Sequence, residues 1–132
     1  MRFYSAGNMY LSSIQQGIQA AHCVAEMSRL WLGNKMVSDW TITHKTLICL
    51  NGGNNFALHN FLSLITSEDN KHYPVAKFYE DDASMGGMLT CVGIIVPEKI
   101  YGIDLNDANT WTDLTPWEIE LATALKRMPL AR

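Results

Sequence analysis

Short apolar runs alternate with amphipathic stretches along the 132 residues, and that alternation predicts mixed strands and helices. Met1 to Tyr4 is apolar and aromatic and reads as a short strand. Ser13 and Gln16 have capping-box spacing, so a helix is expected from about Ile14 to Leu32, with Gly33-Asn34 as its stop. Val37 to His44 is a connector whose Trp40 and β-branched residues allow a short edge element. Lys45 to Leu50 reads as a buried strand and Asn51 to Asn55 as a turn. Phe56 to Thr66 follows as a helix with Phe56, Leu58, Phe61, Leu62 and Ile65 on its apolar face. After a polar loop from Ser67 to Tyr73, Val75 to Tyr79 is a third strand. Glu80 to Gly87 is an acidic connection, and Met88 to Val96 is the longest strand, stopped by Pro97. Glu98 to Ile103 reads as a helical turn and Asn106 to Leu114 as irregular. Thr115-Pro116-Trp117-Glu118 is a strong helix start, with Leu114, Trp117, Leu121, Leu125 and Met128 facing inward. The order β-α-β-α-β-β-α predicts one α/β domain, a single mixed sheet of about four strands flanked by helices.

The first helix carries a polar stripe. Gln15, Gln19, His22, Glu26 and Arg29 follow at steps of four, three, four and three, so they share one side of a helix. Gly17, Ala20 and Ala21 beside them let a second backbone or a flat ligand come close. The stripe is then a binding surface, a packing interface of a homo-oligomer, or a solvated face on which Glu26 and Arg29 pair. His22 can bind, titrate or donate a hydrogen bond. Cys23 diverges from it by about 100° on a helix, which argues against a Cys–His dyad.

Composition narrows the class. At 48% hydrophobic and 17% charged, the chain has material for a packed core and is not a disordered sequence. No apolar run approaches the roughly 18 residues of a membrane span, and Met1-Arg2-Phe3-Tyr4 does not open an apolar leader. A cytoplasmic protein with no membrane partner is expected. Cys23, Cys49 and Cys91 are far apart and read as buried or half-buried thiols. No CxxC or HxxxH spacing occurs, so neither a metal nor a cofactor is expected. The net charge is −3 and the ten Lys and Arg are scattered, which disfavours extensive contact with tRNA or duplex DNA.

Two more segments carry candidate chemistry. In Asn51-Gly52-Gly53-Asn54-Asn55 the glycines let backbone amides point outward ahead of a helix N-terminus, a cradle for phosphate or carboxylate. The segment lacks a P-loop Lys and any GxGxxG; its other reading is a loop whose Asn54 or Asn55 caps the helix. Glu80-Asp81-Asp82 can bind ribose hydroxyls or a cation, act as acid or base, or form a solvated turn. Thr90, near the start of the longest strand, would lie close to it. His44, His59 and His72 are separate from one another, and no GxSxG is present.

The layout resembles the type II peptidyl-tRNA hydrolase family. The matching pieces are Gly17-Ile18-Gln19-Ala20-Ala21-His22-Cys23, the strand Lys45 to Leu50, the helix Phe56 to Thr66, the strand Val75 to Tyr79, Asp82-Ala83, and Thr90 to Pro97. The likeness spans most of residues 1–101 and is specific in element order and in Gln-x-x-His. It implies that family's fold and, for an enzyme, a peptidyl-tRNA or aminoacyl-tRNA ester hydrolase. His22 or Asp82 would activate water there, and Thr90 or backbone amides would hold the oxyanion. The family's Lys at the start of the first helix has no counterpart in Ser12-Ser13-Ile14-Gln15-Gln16, which removes the obvious stabiliser of that oxyanion. The expectation is therefore a binding protein on a peptidyl-tRNA-hydrolase-like scaffold, holding or sequestering a nucleotide-type small molecule. Its ligand-binding residues are expected to be Gln15, Gln19, His22, Asn51, Gly52, Gly53, Asn54 and Asp82, with Tyr4, Trp40 or Tyr79 stacking on a base. A phage protein that sequesters a nucleotide immune signal is one form of this reading; the hydrolase is the alternative, and a homo-oligomer is expected.

Overall fold

Strands β1 (Arg2–Gly7), β2 (Leu47–Asn51), β3 (Val75–Tyr79) and β4 (Leu89–Val96) form one sheet in the order β2-β1-β4-β3. The computed structural model describes residues 1–80 and 87–132. β1 and β2 are parallel, and β4 runs antiparallel to both β1 and β3. The carboxyl ends of β1, β2 and β3 therefore share one edge of the sheet with the start of β4. The α/β class and the single mixed four-strand sheet agree with the pattern read from the sequence.

Helix α1 (Ser13–Leu30) and helix α2 (Lys35–Asp39) cover one face of the sheet. Cys23, Met27, Val37 and Trp40 pack there on Phe3, Cys91 and Ile95. Helix α3 (Asn55–Ile65) and helix α5 (Pro116–Arg127) cover the other, where Leu58, Ile65 and Leu121 meet Tyr4, Val92 and Ile94. A short α4 (Glu98–Tyr101) follows β4. Every residue of β4 is buried, because helices lie on both faces and strands on both sides. No helix among the described residues is long and apolar enough to cross a membrane. Cys23 and Cys91 are buried and Cys49 is half-buried, all as free thiols.

Several boundaries differ from the sequence reading. β1 runs on to Gly7, because Ser5 and Gly7 face α1 from an interior strand and are covered there. The capping box is Ser12–Gln15, one residue earlier than expected: Ser12 is the extended residue, and Ser13 is already helical. The segment from Lys35 is helical and no edge strand forms. α2 runs into a wider turn over Trp40–His44, closed when the Lys45 amide bonds the Trp40 carbonyl at 2.8 Å. Lys45 takes a left-handed conformation (φ 59°), so β2 begins only at Leu47. Phe56 was expected inside, yet it is exposed on the outer side of α3.

Candidate functional site

The edge at the strand ends gathers the segments singled out in the sequence. β1 and β2 are adjacent and parallel, but the helix after β1 lies on one face of the sheet and the helix after β2 on the other. The chain thus diverges at their carboxyl ends, the place where open α/β sheets form ligand crevices. Two backbone bonds join the lips: Gly52 N donates to Gly7 O at 2.7 Å, and Met9 N donates to Gly53 O at 2.8 Å.

The Gly-Asn turn is held from within. Gly53 N donates to Asn51 Oδ1 at 2.9 Å, and Ala57 N donates to Asn54 Oδ1 at 2.8 Å. Asn54 is therefore the cap of α3. Gly53 has a positive φ of 83°, which favours glycine there. A Cβ on Gly52 would stand 2.7 Å from Leu58 Cδ1, so that glycine lets the turn lie on the core. The Gly52 and Gly53 amides are thus bonded to Gly7 O and Asn51 Oδ1, and the Ala57 amide of α3 to Asn54 Oδ1, so these three amides face the protein's own polar groups.

The polar stripe of α1 divides. Gln15 closes the capping box, its Oε1 accepting from Ser12 N at 2.9 Å. Glu26 and Arg29 pair on the surface at 2.7 Å. Gln19 turns inward, is 4% exposed, and bridges two elements. Its Nε2 donates to Glu80 Oε2 at 2.7 Å, and its Oε1 accepts from Thr90 Oγ1 at 2.8 Å. His22 lies one turn on, exposed, with its ring stacked on Phe78 at 4.3 Å and 4°. Nothing lies within 4 Å of a Cβ placed on Gly17, so among the described residues that glycine admits no close neighbour.

Thr90 reaches Gln19 because of a β-bulge. Phe78 pairs with Cys91 and Tyr79 with Leu89, which leaves Thr90 as the additional residue of β4. The bulge lets Thr90 face the α1 side beside Cys91, whose thiol lies 2.9 Å from Ser5 Oγ. The Thr90 carbonyl accepts from Asn8 N at 3.0 Å. Asn8 is fully buried, and its own carbonyl accepts from Gln16 Nε2 at 2.8 Å. A continuous row of bonds therefore runs from Glu80 through Gln19, Thr90 and Asn8 to the β1–β2 join.

Gln19, Thr90 and Glu80 meet, with His22 beside them; Asn51, Gly52, Gly53 and Asn54 meet the other end of the row. Asp81 and Asp82 lie outside the described residues. Of the stacking candidates, Tyr4 and Trp40 are buried in the two cores, Trp40 with its indole N–H on Thr46 O at 2.7 Å, and neither can meet a ligand. Tyr79 is exposed at the end of β3. Asn8, Gln16 and Tyr10 belong to this edge and were missed. Ending β1 at Tyr4 hid the loop Asn8–Ser12, and a cap set one residue late assigned Gln16 to the helix start. A groove of about 320 Å³ between α3 and α5 begins at Gly52 and is lined by Ala57, Phe61, Leu64 and Met128. Among the described residues no group of three His, Cys, Asp or Glu is placed to hold a metal ion. No protein-family model and no curated protein sequence matches this chain.

Proposed function

We propose that this chain is a small-molecule binding protein on a peptidyl-tRNA-hydrolase-like scaffold, and that it holds a nucleotide-type ligand at the carboxyl ends of β1 and β2. The observation that carries the reading is the convergence of the β1–α1 loop, the Gly52–Asn54 turn and the Gln19–Glu80–Thr90 network on one sheet edge at a topological switch point. Sequestration suits this edge better than hydrolysis. The Thr90 hydroxyl is fully buried and its proton is committed to Gln19, so it is not aimed at a developing oxyanion. No Lys or Arg occurs in residues 8–18 or 52–60, which weakens any grip on a tRNA backbone.

A thermal-shift series with nucleosides, nucleotides and cyclic dinucleotides tests the reading, run beside a peptidyl-tRNA release assay. A saturable rise in melting temperature without release of the peptidyl group is expected. Turnover of peptidyl-tRNA that is lost in Thr90→Val would replace this reading with the hydrolase.

A further inference from the structure

We propose that Pro129–Ala131 is a strap that closes the β2 edge of the sheet, and that its release lets β2 pair antiparallel with β2 of a second copy of this chain. The inference is independent of the nucleotide-type reading.

β2 is an outer strand of the sheet, beside β1. Phe3 N donates to Thr46 O and Gly52 N to Gly7 O, so Thr46, Ile48, Leu50 and Gly52 direct their backbone groups at β1. Leu47, Cys49 and Asn51 direct theirs away from it. The chain after α5 turns back along that outer side. Asn51 N donates to Pro129 O at 2.8 Å, Ala131 N donates to Cys49 O at 2.9 Å, and Leu50 stands opposite Leu130 in antiparallel register. The edge therefore already takes an antiparallel strand. Its hold on this one is slight: Pro129 and Leu130 are exposed, and Met128 has left the helix for an extended backbone. Segments held this way open locally while the core stays folded.

The two edges of the sheet are guarded differently. On β3, Lys77 is exposed and the Trp31 indole N–H occupies Val75 O at 2.8 Å. Leu47-Ile48-Cys49-Leu50-Asn51 contains no Pro and no charged residue, so β2 has no such device of its own and relies on the strap. Its outward groups at Leu47, Cys49 and Asn51 are symmetric about Cys49. A two-fold antiparallel pair therefore sets Leu47 against Asn51 of the second copy and Cys49 against its own counterpart, with each outward N–H meeting a C=O.

The test is Ala131→Pro in the full chain. It deletes the amide that bonds Cys49 O and turns a ring toward that carbonyl, while Leu130, in its antiparallel bridge, has the extended backbone that a residue before Pro favours. Sedimentation over a concentration series should show self-association at least about tenfold tighter than in the parent. Hydrogen exchange at the Asn51 amide should be fast in the dilute variant and slow again in the concentrated one. Oxidised glutathione, itself reduced to two glutathiones, should join the paired Cys49 thiols, whose Cα atoms would lie about 5.5 Å apart. Adding Cys49→Ser should abolish that crosslink and keep the association. An Asn51 amide that stays protected in dilute Ala131→Pro, association no tighter than in the parent, or association without the Cys49 crosslink would each overturn the inference. Loss of the cooperative melt in Ala131→Pro would overturn it too, because the segment would then be part of the core and not a strap.

Discussion

Replacing Gln19 by Glu keeps the shape of the side chain and reverses one interaction. The Gln19 amide donates to Glu80 at 2.7 Å and accepts from Thr90 at 2.8 Å. In Gln19→Glu the Thr90 hydroxyl keeps its acceptor, but a second carboxyl faces Glu80 in a buried position. Two unit charges about 4 Å apart repel by about 4 kcal/mol at an effective dielectric constant near 20. The pair can instead hold one proton. At pH 7 that costs about 3.7 kcal/mol, from about 1.4 kcal/mol per pH unit above an ordinary Glu value of about 4.3. The shared proton returns about 1 kcal/mol as a hydrogen bond, leaving a net loss of about 2–3 kcal/mol. For a chain of this length that lowers the melting temperature by roughly 8–12 °C. The new carboxyl titrates higher in the folded than in the unfolded chain. Its penalty is therefore absent below about pH 4.3 and complete above the raised value. Melts of parent, Gln19→Glu and the uncharged Gln19→Leu, compared at about pH 4.5 and pH 7.5, read the effect. A Gln19→Glu protein that stays within about 0.5 kcal/mol of the parent at the higher pH, or whose deficit is the same at both, would refute the buried placement of Gln19 against Glu80.

Two further perturbations probe the supporting core. The Tyr73 hydroxyl donates to the buried Glu118 carboxylate, which also lies 3.1 Å from Lys99. Burial pushes the Glu118 carboxyl up, but the Tyr73 hydroxyl, the Thr115 amide and Lys99 outweigh it and hold its pKa below the ordinary value. Tyr73→Phe keeps the ring stacked near Trp117 and should cost about 1.5–3 kcal/mol at neutral pH in urea melts. That loss should shrink as the pH falls through the lowered Glu118 value; a constant loss down to about pH 3 would contradict the assignment. Gly93→Ala would put a Cβ 2.6 Å from Phe3 Cε1 and 2.8 Å from Cys23 Sγ. Overpacking there should cost about 1–3 kcal/mol, and unchanged melting would show that α1 does not press on β4 as described.

Much of the fold was legible because its signals are local. The β4 run, the Thr115-Pro116 helix start and the apolar periodicity of α5 each state their structure within a few residues. The errors came where a local signal had two solutions. Ser12 and Ser13 both offer a capping hydroxyl, and only the extended backbone of Ser12 decides between them. Val37 to His44 has strand-forming residues, yet Trp40 turns its ring into the α1 side of the core and the chain stays helical. The site was half legible. Gln19 sits on the expected stripe, but its partners Glu80 and Thr90 are 61 and 71 residues away and meet it through a bulge that no short pattern announces. Tyr4 and Tyr10 look alike in sequence. Strand pairing buries the first, and the loop after β1 exposes the second.

The proposed function requires that a nucleotide-type ligand be bound and left unchanged at the strand-end edge. The most direct measurement loads the protein with the nucleotide or nucleoside that raises its melting temperature most, denatures the complex, and weighs the released small molecule by mass spectrometry. One equivalent of ligand per site, returned with its mass unaltered, is expected, and at 100 times Kd the ligand should add about 2.7 kcal/mol to stability. A released molecule of changed mass, or stability that does not respond to any nucleotide or nucleoside, would contradict it.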